Sequence, residues 1–267
     1  MNPQERTWFE ANKHLWNAKV PVHLDSSFYD MAAFRAGQSS LQAIEVEGLG
    51  DVSDKSMLHL QCHFGQDSLS WARAGATVTG IDLSDQAIKT ARGLAAELAI
   101  DATFVCANLY DLKDQISGQF DIVFTSYGTI GWLPDLTRWG EIIAHFLKPG
   151  GTFFIAEFHP YLWMLDEQFD QVQYSYFNVA PIEEITQGTY TDREAAIGGL
   201  SYSWNHPLSD VVMALLQNDM NIESLQEFPY TPWDCFPRLK KTGERKWVFE
   251  HVGDKIPYVY TIRATRY

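Results

Sequence analysis

The sequence is poor in cysteine and has no long apolar run. Its 267 residues include three cysteines, Cys62, Cys106 and Cys235, which lie far apart and form no Cys-x-x-Cys pair. A disulfide framework or a structural zinc site is therefore not expected, and a reducing cytoplasm suits the chain best. No apolar run approaches the roughly 20 residues that span a bilayer. The first ten residues also lack the basic and apolar regions of a signal peptide.

Basic residues are scarce relative to acidic ones. The chain has 20 Lys and Arg against 34 Asp and Glu, which gives a formal net charge of −14. Such a surface repels phosphate backbones and anionic headgroups, so neither nucleic acid nor a membrane is expected as a partner. Hydrophobic residues make up 46% of the chain, which is too many for a disordered protein. With no internal repeat or linker, residues 1–267 are expected to form one domain.

Short apolar runs alternate with helical patterns between residues 56 and 158. The runs predict five strands at residues 56–60, 76–81, 103–107, 120–125 and 152–158. Helical spacing of apolar residues follows near 66–74, 85–98 and 136–147, and Ser84 can cap the second of these helices. Strands that alternate with helices predict an α/β fold with a doubly wound, mostly parallel sheet.

The two flanking regions have a different pattern. Residues 1–50 indicate an N-terminal helical cap segment, and residues 172–204 alternate polar and aromatic residues like an inserted β-ribbon. A helix is expected near 208–219 and a last strand at 258–262. The aromatic residues of the second half favour a lid over a pocket, and exposed hairpins that need large side chains are the alternative.

Asp82 follows the second predicted strand, about 20 residues after the tight turn that ends the first. An acidic residue at this place in a doubly wound sheet accepts hydrogen bonds from ribose hydroxyls. The alternative is an Asp that caps the chain ahead of Ser84. The ribose interpretation predicts a nucleotide-like cofactor at the carboxyl edge of the sheet.

Five segments in order resemble the class I S-adenosylmethionine-dependent methyltransferases. The segments are LHLQCHFGQDS, TVTGIDLS, FVCANLYDL, FDIVFTSYGTIGWL and LKPGGTFFIAEFHP. The sequence looks most similar to bacterial methyltransferase-domain proteins with a Leu-Gln-Cys-His-Phe-Gly first motif. The resemblance implies a Rossmann-like, seven-stranded, mostly parallel sheet with an antiparallel last strand and a β-rich insertion after strand five. It also implies S-adenosyl-L-methionine as cofactor and in-line methyl transfer to a small-molecule acceptor; the oligomeric state is not predicted.

The resemblance assigns cofactor contacts to four places. They are the first loop, the end of strand two, the end of strand three and the exit of strand four: Gln61, Cys62, His63 and Gly65; Asp82 and Leu83; Asn108 and Leu109; and Ser126 and Tyr127. The family's first loop is usually Asp-x-Gly-x-Gly-x-Gly, but here those places hold His59, Gln61, His63 and Gly65. His63 can contact a carboxylate or pack in the core. Asn108 can accept from an adenine amino group or cap a turn.

The methyl acceptor is expected beside the exits of strands four and five. Tyr127 and His159 are the candidate catalytic residues, and His159 can instead be a turn histidine. The candidate substrate-binding residues are Tyr29, Tyr161, Trp204 and His206. His206 can alternatively mark a helix start, and Tyr29 can belong to a helix that packs on the sheet edge. No metal is expected from His59, Cys62 and His63, because no carboxylate lies at ligand spacing.

Two other functions compete with methyl transfer. A non-catalytic protein that keeps the fold for binding is favoured by the missing glycines of the first loop. A Rossmann-type nucleotide-dependent oxidoreductase is disfavoured by the absence of Gly-x-Gly-x-x-Gly and by the Leu-Lys-Pro-Gly-Gly turn before strand five.

Overall fold

The structure, a computed structural model, describes residues 1–178 and 180–267. Its strands are β1 Ser56–His59, β2 Thr77–Asp82, β3 Ala102–Cys106, β4 Phe120–Ser126, β5 Leu147–Phe158, β6 Ile182–Gln187, β7 Gly198–Ser203, β8 Met220–Phe228, β9 Leu239–Gly243, β10 Lys246–Phe249 and β11 Val259–Arg266. Its helices are α1 Pro3–Leu24, α2 Met31–Arg35, α3 Ala43–Leu49, α4 Gln66–Arg73, α5 Asp85–Glu97, α6 Leu136–Phe146 and α7 Leu208–Leu216.

Seven strands form the central sheet in the order β3-β2-β1-β4-β5-β11-β8. Strands β1 to β5 pair in parallel, and β11 is antiparallel to both β5 and β8. The predicted Rossmann-like α/β fold with an antiparallel last strand is therefore confirmed. The strand order reverses between β1 and β4, and a ligand crevice opens there, outside the carboxyl ends of the strands.

Both faces of the sheet are buried, which explains the nearly continuous apolar runs of the strands. Along β5, Phe153 and Ile155 pack against α6 and α7, whereas Phe154 and Ala156 belong to the core on the opposite face. Helix α6 covers the first face with the apolar stripe that the sequence predicts, and Asp135 caps it by accepting from the N–H groups of Thr137 and Arg138. This packing fixes the carboxyl ends of β1, β4 and β5 beside one another.

The turn predicted at Lys148–Gly151 is present as an irregularity within β5. The register with β4 moves from Phe120↔Leu147 to Ile122↔Thr152, so the extra residues bulge out of the ladder. Gly150 has a φ of +76° in this bulge, a backbone conformation that favours glycine. The strand then runs straight to the edge that carries the site.

The second half of the chain departs from the sequence interpretation in two places. The antiparallel ribbon β6–β7 starts at residue 182, ten residues after the predicted start of the insertion, and Val179 lies outside the described residues. A further hairpin, β9–β10, lies between the helix predicted near 208–219 and the last predicted strand, where the sequence analysis placed no strand. Its first strand is rich in lysine and has no apolar pattern, whereas the second contains the short apolar run Trp247, Val248 and Phe249.

Helix α1 joins the N-terminal segment to the ribbon. Asn2 and Glu5 form a capping box at its start. Further along, the buried side chain of Asn12 donates to the carbonyl of Tyr202 at 2.8 Å and accepts from the N–H of Tyr202 at 2.9 Å. The amide thus pairs with the backbone of β7 as a neighbouring strand would. Within the described residues, no helix has the length and apolar composition needed to cross a membrane.

Candidate functional site

A cavity of about 1270 Å³ opens at the carboxyl ends of β1, β2, β3, β4 and β5. Its floor is formed by the loops that follow these strands, and α1 and the turn of the β6–β7 ribbon form its walls. The cavity is lined by every residue that the sequence assigns to the cofactor: Gln61, Cys62, His63, Gly65, Asp82, Leu83, Asn108, Leu109, Ser126 and Tyr127. The structure therefore brings the four predicted cofactor places together.

The loop between β1 and α4 has an unusual backbone. Gln61, His63 and Gly65 have φ values of +54°, +51° and +78°, so three alternate residues are left-handed. Only glycine adopts this region freely, and a bulky residue there carries strain on the order of 1–2 kcal/mol. The loop keeps the shape that glycines permit although two of them are replaced, and strain of this kind is typical of functional sites.

The side chain of Gln61 connects the first loop to the exit of β4. Its Nε2 donates to the carbonyl of Thr129 at 2.9 Å, which holds the two loops against each other. Its Oε1 is buried and has no hydrogen-bond partner among the described residues. A buried amide oxygen without a donor is costly, so this atom suits a ligand that brings an N–H or O–H group.

Asp82 fixes the first loop from the end of β2. Its Oδ2 accepts from the N–H of His63 at 2.8 Å, and its Oδ1 accepts from the N–H of Ser84 at 2.8 Å. Burial raises the pKa of Asp82 to about 6, and these two hydrogen bonds oppose the rise. Each carboxylate oxygen still has a free lone pair, so the residue can accept from ligand hydroxyls as well. The capping alternative and the ribose prediction are therefore compatible.

His63 belongs to a chain of polar contacts that reaches the ribbon. Its Nε2 lies 2.8 Å from Nδ1 of His23, and Nε2 of His23 lies 2.6 Å from the hydroxyl of Thr189. Burial lowers the pKa of both histidines, that of His23 to about 3, so both rings are neutral near pH 7. Neutral rings let one nitrogen donate and the other accept, as an uninterrupted chain of hydrogen bonds requires.

Lys19 is a buried cation in the wall of the cavity. Its side chain is 8% exposed, and among the described residues no carboxylate lies within ion-pair distance of its Nζ. The ammonium lies 4.7 Å from the ring centre of Trp16 and 5.7 Å from that of Trp132. Burial lowers the pKa of Lys19 to about 8. An unpaired buried ammonium suits the negatively charged group of a ligand.

Asn108 caps the turn that follows β3. Its Oδ1 accepts from the N–H of Tyr110 at 2.9 Å, which is the turn-capping alternative considered from the sequence. The residue lines the cavity beside Leu109, which is buried. This corner combines an apolar wall with a polar rim, a combination that suits a planar base.

Glu157 shapes the exit of β4. Its carboxylate accepts from the N–H groups of Gly128, Thr129 and Ile130, the latter two at 2.7 and 3.2 Å. Gly128 has a φ of +73° at this turn, which favours glycine. Through these hydrogen bonds, the carboxylate of Glu157 holds in place the loop that carries Tyr127.

Aromatic side chains line the part of the cavity beside Tyr127. Its ring meets Trp233 edge-on at 4.3 Å, and the hydroxyl groups of Tyr29 and Tyr190 are hydrogen-bonded. Trp204 also lines the cavity and packs edge-on against Trp8 at 5.2 Å. Of the predicted substrate-binding residues, Tyr29 and Trp204 are thus at the cavity.

Three predicted site residues have other surroundings. His159, Tyr161 and His206 are not among the described residues that line the cavity. Nδ1 of His159 accepts from the N–H of Tyr161, and its Nε2 lies 3.0 Å from Glu227. Nε2 of His206 lies 2.7 Å from the carbonyl of Leu133. The contact with Tyr161 matches the turn-histidine alternative for His159, and His206 lies just before the start of α7 at Leu208, as its alternative has it. In the described part of the chain, no group of three His, Cys, Asp or Glu side chains is arranged to hold a metal.

Sequence reasoning missed Lys19, Glu45 and Trp233. Lys19 follows Trp16 by three residues in α1, and Glu45 stands in a capping box of a short helix. Neither pattern distinguishes a residue at the cavity wall, such as Lys19, or one buried behind it, such as Glu45, from a surface residue. Trp233 lies in the loop after β8, where a Pro-Trp pair offered no periodicity. These residues reach the site only through tertiary packing.

Comparison with known proteins finds similar methyltransferases. Residues 57–151 match the family described as a methyltransferase domain. A ubiquinone biosynthesis O-methyltransferase of Xanthomonas oryzae is 34% identical over 106 residues, which is 40% of this chain and 44% of that protein. The match thus spans less than half the length of this relative.

Solved structures share the whole fold. An S-adenosylmethionine-dependent methyltransferase from Clostridium acetobutylicum superposes with a TM-score of 0.58 at 14% identity, over 96% of this chain and 98% of that chain. The glycopeptide N-methyltransferase MtfA in complex with S-adenosylmethionine superposes with a TM-score of 0.54 at 16% identity, over 84% and 92% of the two chains. The chain thus shares the fold of these methyltransferases, and residues 57–151 match the methyltransferase-domain family.

Proposed function

We propose that the protein transfers a methyl group from S-adenosyl-L-methionine to a small-molecule acceptor. The observation that carries this proposal is that one cavity holds the unpartnered Oε1 of Gln61 in the strained β1–α4 loop, the carboxylate of Asp82 and the unpaired ammonium of Lys19. The three groups match the amino, hydroxyl and carboxylate groups of this cofactor. The residues present therefore fit it.

The residues of the chain divide the binding work. Asp82 accepts from ribose hydroxyls, and the corner of Asn108 and Leu109 takes the base. Gln61 accepts from the amino group, and Lys19 pairs with the carboxylate. The bound cofactor supplies a methyl group on a positively charged sulfur, which an acceptor atom attacks in line. The protein then has to orient the two molecules and exclude water.

The acceptor is proposed to lie beside Tyr127, where the aromatic wall is. Tyr29, Trp204 and Trp233 give apolar contact area at low entropic cost, which favours a small, partly apolar molecule. The net charge of −14 disfavours nucleic acid as the acceptor. The three cysteines are free thiols, which supports the proposed cytoplasmic setting.

The β6–β7 ribbon is proposed to be the lid of this cavity. It is held by the contact between Thr189 and His23 and by the hydrogen bond between Tyr190 and Tyr29. Thr189→Val leaves Nε2 of His23 without its partner, and we expect a loss of about 1–3 kcal/mol in unfolding free energy and weaker acceptor binding. Thr189→Ser keeps the hydroxyl and is the matched control. Equal free energies of unfolding for the two variants in urea would contradict a stabilising contact between Thr189 and His23.

Thermal unfolding with added ligands tests the proposed function against its alternatives. S-adenosylhomocysteine should raise the midpoint, because a ligand that binds only the folded state stabilises it, and NADH should not. Protection by NADH alone would favour the oxidoreductase. Protection by S-adenosylhomocysteine without methyl transfer to any small molecule copurified with the protein would favour the non-catalytic binder.

A further inference from the structure

Tyr127 is connected to a buried acid behind the cavity wall. Its hydroxyl donates to Oε2 of Glu45 at 2.8 Å, and Oε1 of Glu45 accepts from the N–H of Gln42 at 2.6 Å. Glu45 is 1% exposed, whereas Tyr127 lines the cavity. The phenol group therefore stands between the cavity and a carboxylate that solvent does not reach.

The surroundings of Glu45 make its ionised form unusually ready to take a proton. Asp67 of α4 adds a second negative charge, and Arg245 of the β9–β10 turn donates to the side chain of Gln42 at 2.9 Å. Burial and the charge of Glu45 are the main causes that raise the pKa of Tyr127, and Tyr230, after β8, adds to the rise. No basic group forms an ion pair with Glu45 among the described residues. Burial first, and Asp67 second, raise the pKa of Glu45 to about 8.

Asp67 has hydrogen-bond partners other than Tyr127. Its Oδ1 accepts from the hydroxyl of Ser40 at 2.6 Å, and Ser126 also donates to its carboxylate. Burial raises the pKa of Asp67, and these two hydroxyl groups lower it. The hydroxyl of Tyr127 thus has one carboxylate partner, Glu45.

We propose that Tyr127 and Glu45 form a proton-accepting pair for an acceptor that carries a phenolic hydroxyl. Tyr127 is the catalytic residue that contacts the acceptor, and Glu45 is a positioning residue that receives the proton through it. The inference rests on the proposed function and names the acceptor class. Trp233, whose ring centre lies 4.3 Å from that of Tyr127, also lines the cavity and offers an aromatic contact to a phenol.

The proton transfer balances without a further reactant. The acceptor oxygen forms its bond to the methyl carbon, and the carbon–sulfur bond breaks with its electron pair left on sulfur. The acceptor's O–H proton passes to Oη of Tyr127 as the phenolic proton of Tyr127 passes to Oε2 of Glu45. Tyr127 ends as a neutral phenol, and the carboxylate of Glu45 becomes a carboxylic acid. The tyrosine need never exist as a phenolate, whose formation burial opposes.

Two substitutions test the pair without removing its packing. Glu45→Gln keeps the size of the side chain and one acceptor oxygen, which can serve either Tyr127 or the Gln42 N–H, but it cannot take a proton. Tyr127→Phe keeps the ring against Trp233. Glu227→Gln makes the same chemical change outside the cavity, beside His159, and serves as control. Calorimetry with S-adenosylhomocysteine first establishes cofactor binding in each protein, so that failure of the proposed function is seen separately.

The probe is 4-methylcatechol, a phenol that stays un-ionised near neutral pH and therefore has a proton to lose when it is methylated. Initial rates of its methylation by S-adenosylmethionine are measured between pH 6 and pH 9.5. We expect the rate of the parent and of Glu227→Gln to rise with pH through about 8, as Glu45 ionises, and to exceed the rates of Glu45→Gln and Tyr127→Phe at least tenfold at pH 8.5. The rise near pH 8 should be absent in Glu45→Gln. Equal rates in all four proteins, the same rise in Glu45→Gln as in the parent, or no methylation of the probe by protein that binds S-adenosylhomocysteine would overturn the proposal.

Discussion

Oδ2 of Asp82 accepts the backbone N–H of His63 at 2.8 Å, across the gap between the end of β2 and the loop that follows β1. The bond holds His63 in its left-handed conformation, with a φ of +51°. A loop that usually relies on glycines is thus stabilised here by a carboxylate. The same carboxylate faces the cavity and is available to a ligand.

Replacement of Asp82 by Asn should weaken cofactor binding. The amide keeps the size of the side chain but loses the charge that strengthens hydrogen bonds to ligand hydroxyls. We expect S-adenosylhomocysteine affinity to fall by about 1–3 kcal/mol in calorimetry. The midpoint of thermal unfolding is measured in parallel to detect loosening of the His63 loop. Unchanged affinity in a folded variant would rule out the ribose contact.

Replacement of Lys19 by Met should weaken the binding of only the amino acid end of the cofactor. The apolar stem can still pack between Trp16 and Trp132, but the charge is lost. We expect S-adenosylhomocysteine binding to weaken by about 1.5–3 kcal/mol. Binding of 5′-methylthioadenosine, which has no amino acid end, should stay the same. A parallel loss for both ligands would show that Lys19 supports the fold of the site and does not contact a carboxylate.

Any side chain at position 65 should destabilise the folded protein, whether or not a ligand is bound. A Cβ atom there would lie 2.6 Å from Cε1 of Phe104, in the core formed with α5, and the φ of +78° adds strain. Gly65→Ala should therefore lower the thermal midpoint even without ligand. Gly93→Ala in α5 is the control, because a Cβ there meets nothing within 4 Å, and it should be neutral or stabilising. Similar midpoints for the two variants would contradict this packing.

Glu45 should make stability depend on pH. Its pKa rises from 4.5 to about 8 on folding, so the folded protein binds this proton more tightly than the unfolded chain. The contribution to unfolding free energy is therefore fully present below pH 4.5 and is lost as pH rises through about 8, by an amount on the order of a few kcal/mol. Urea denaturation between pH 5 and pH 9 should show a smaller decline for Glu45→Gln than for the parent. An equal decline in unfolding free energy with pH for the two proteins would contradict the raised pKa of Glu45.

The central sheet was predictable because its signals are local. The apolar runs of β1 to β5, the stripe of α6 and the Lys148–Gly151 turn each depend on residues close in sequence. Asp82 and Gly65 were placed at the cavity because their positions follow from strand ends. The resemblance to a family added the antiparallel last strand, which periodicity alone does not give.

The remaining features depend on distant contacts. His159 and His206 follow a strand end and precede a helix, as many active-site residues do, but Glu227 and the carbonyl of Leu133 occupy their ring nitrogens. Conversely, Glu45 reaches Tyr127 from 82 residues away. No short sequence window contains either relationship. Loop residues of the N-terminal segment and of the region after β8 can be assigned to the acceptor side only when the packing is known.

The most direct test of the account is a crystal structure of the protein with S-adenosylhomocysteine. The account predicts the ligand at the carboxyl edge between β1, β2 and β4, with its ribose hydroxyls on Asp82, its amino group at Oε1 of Gln61 and its carboxylate at Nζ of Lys19. The sulfur should face the side of the cavity that holds Tyr127. A ligand bound elsewhere, or one that leaves Asp82 and Lys19 without contact, would contradict the proposed cofactor site.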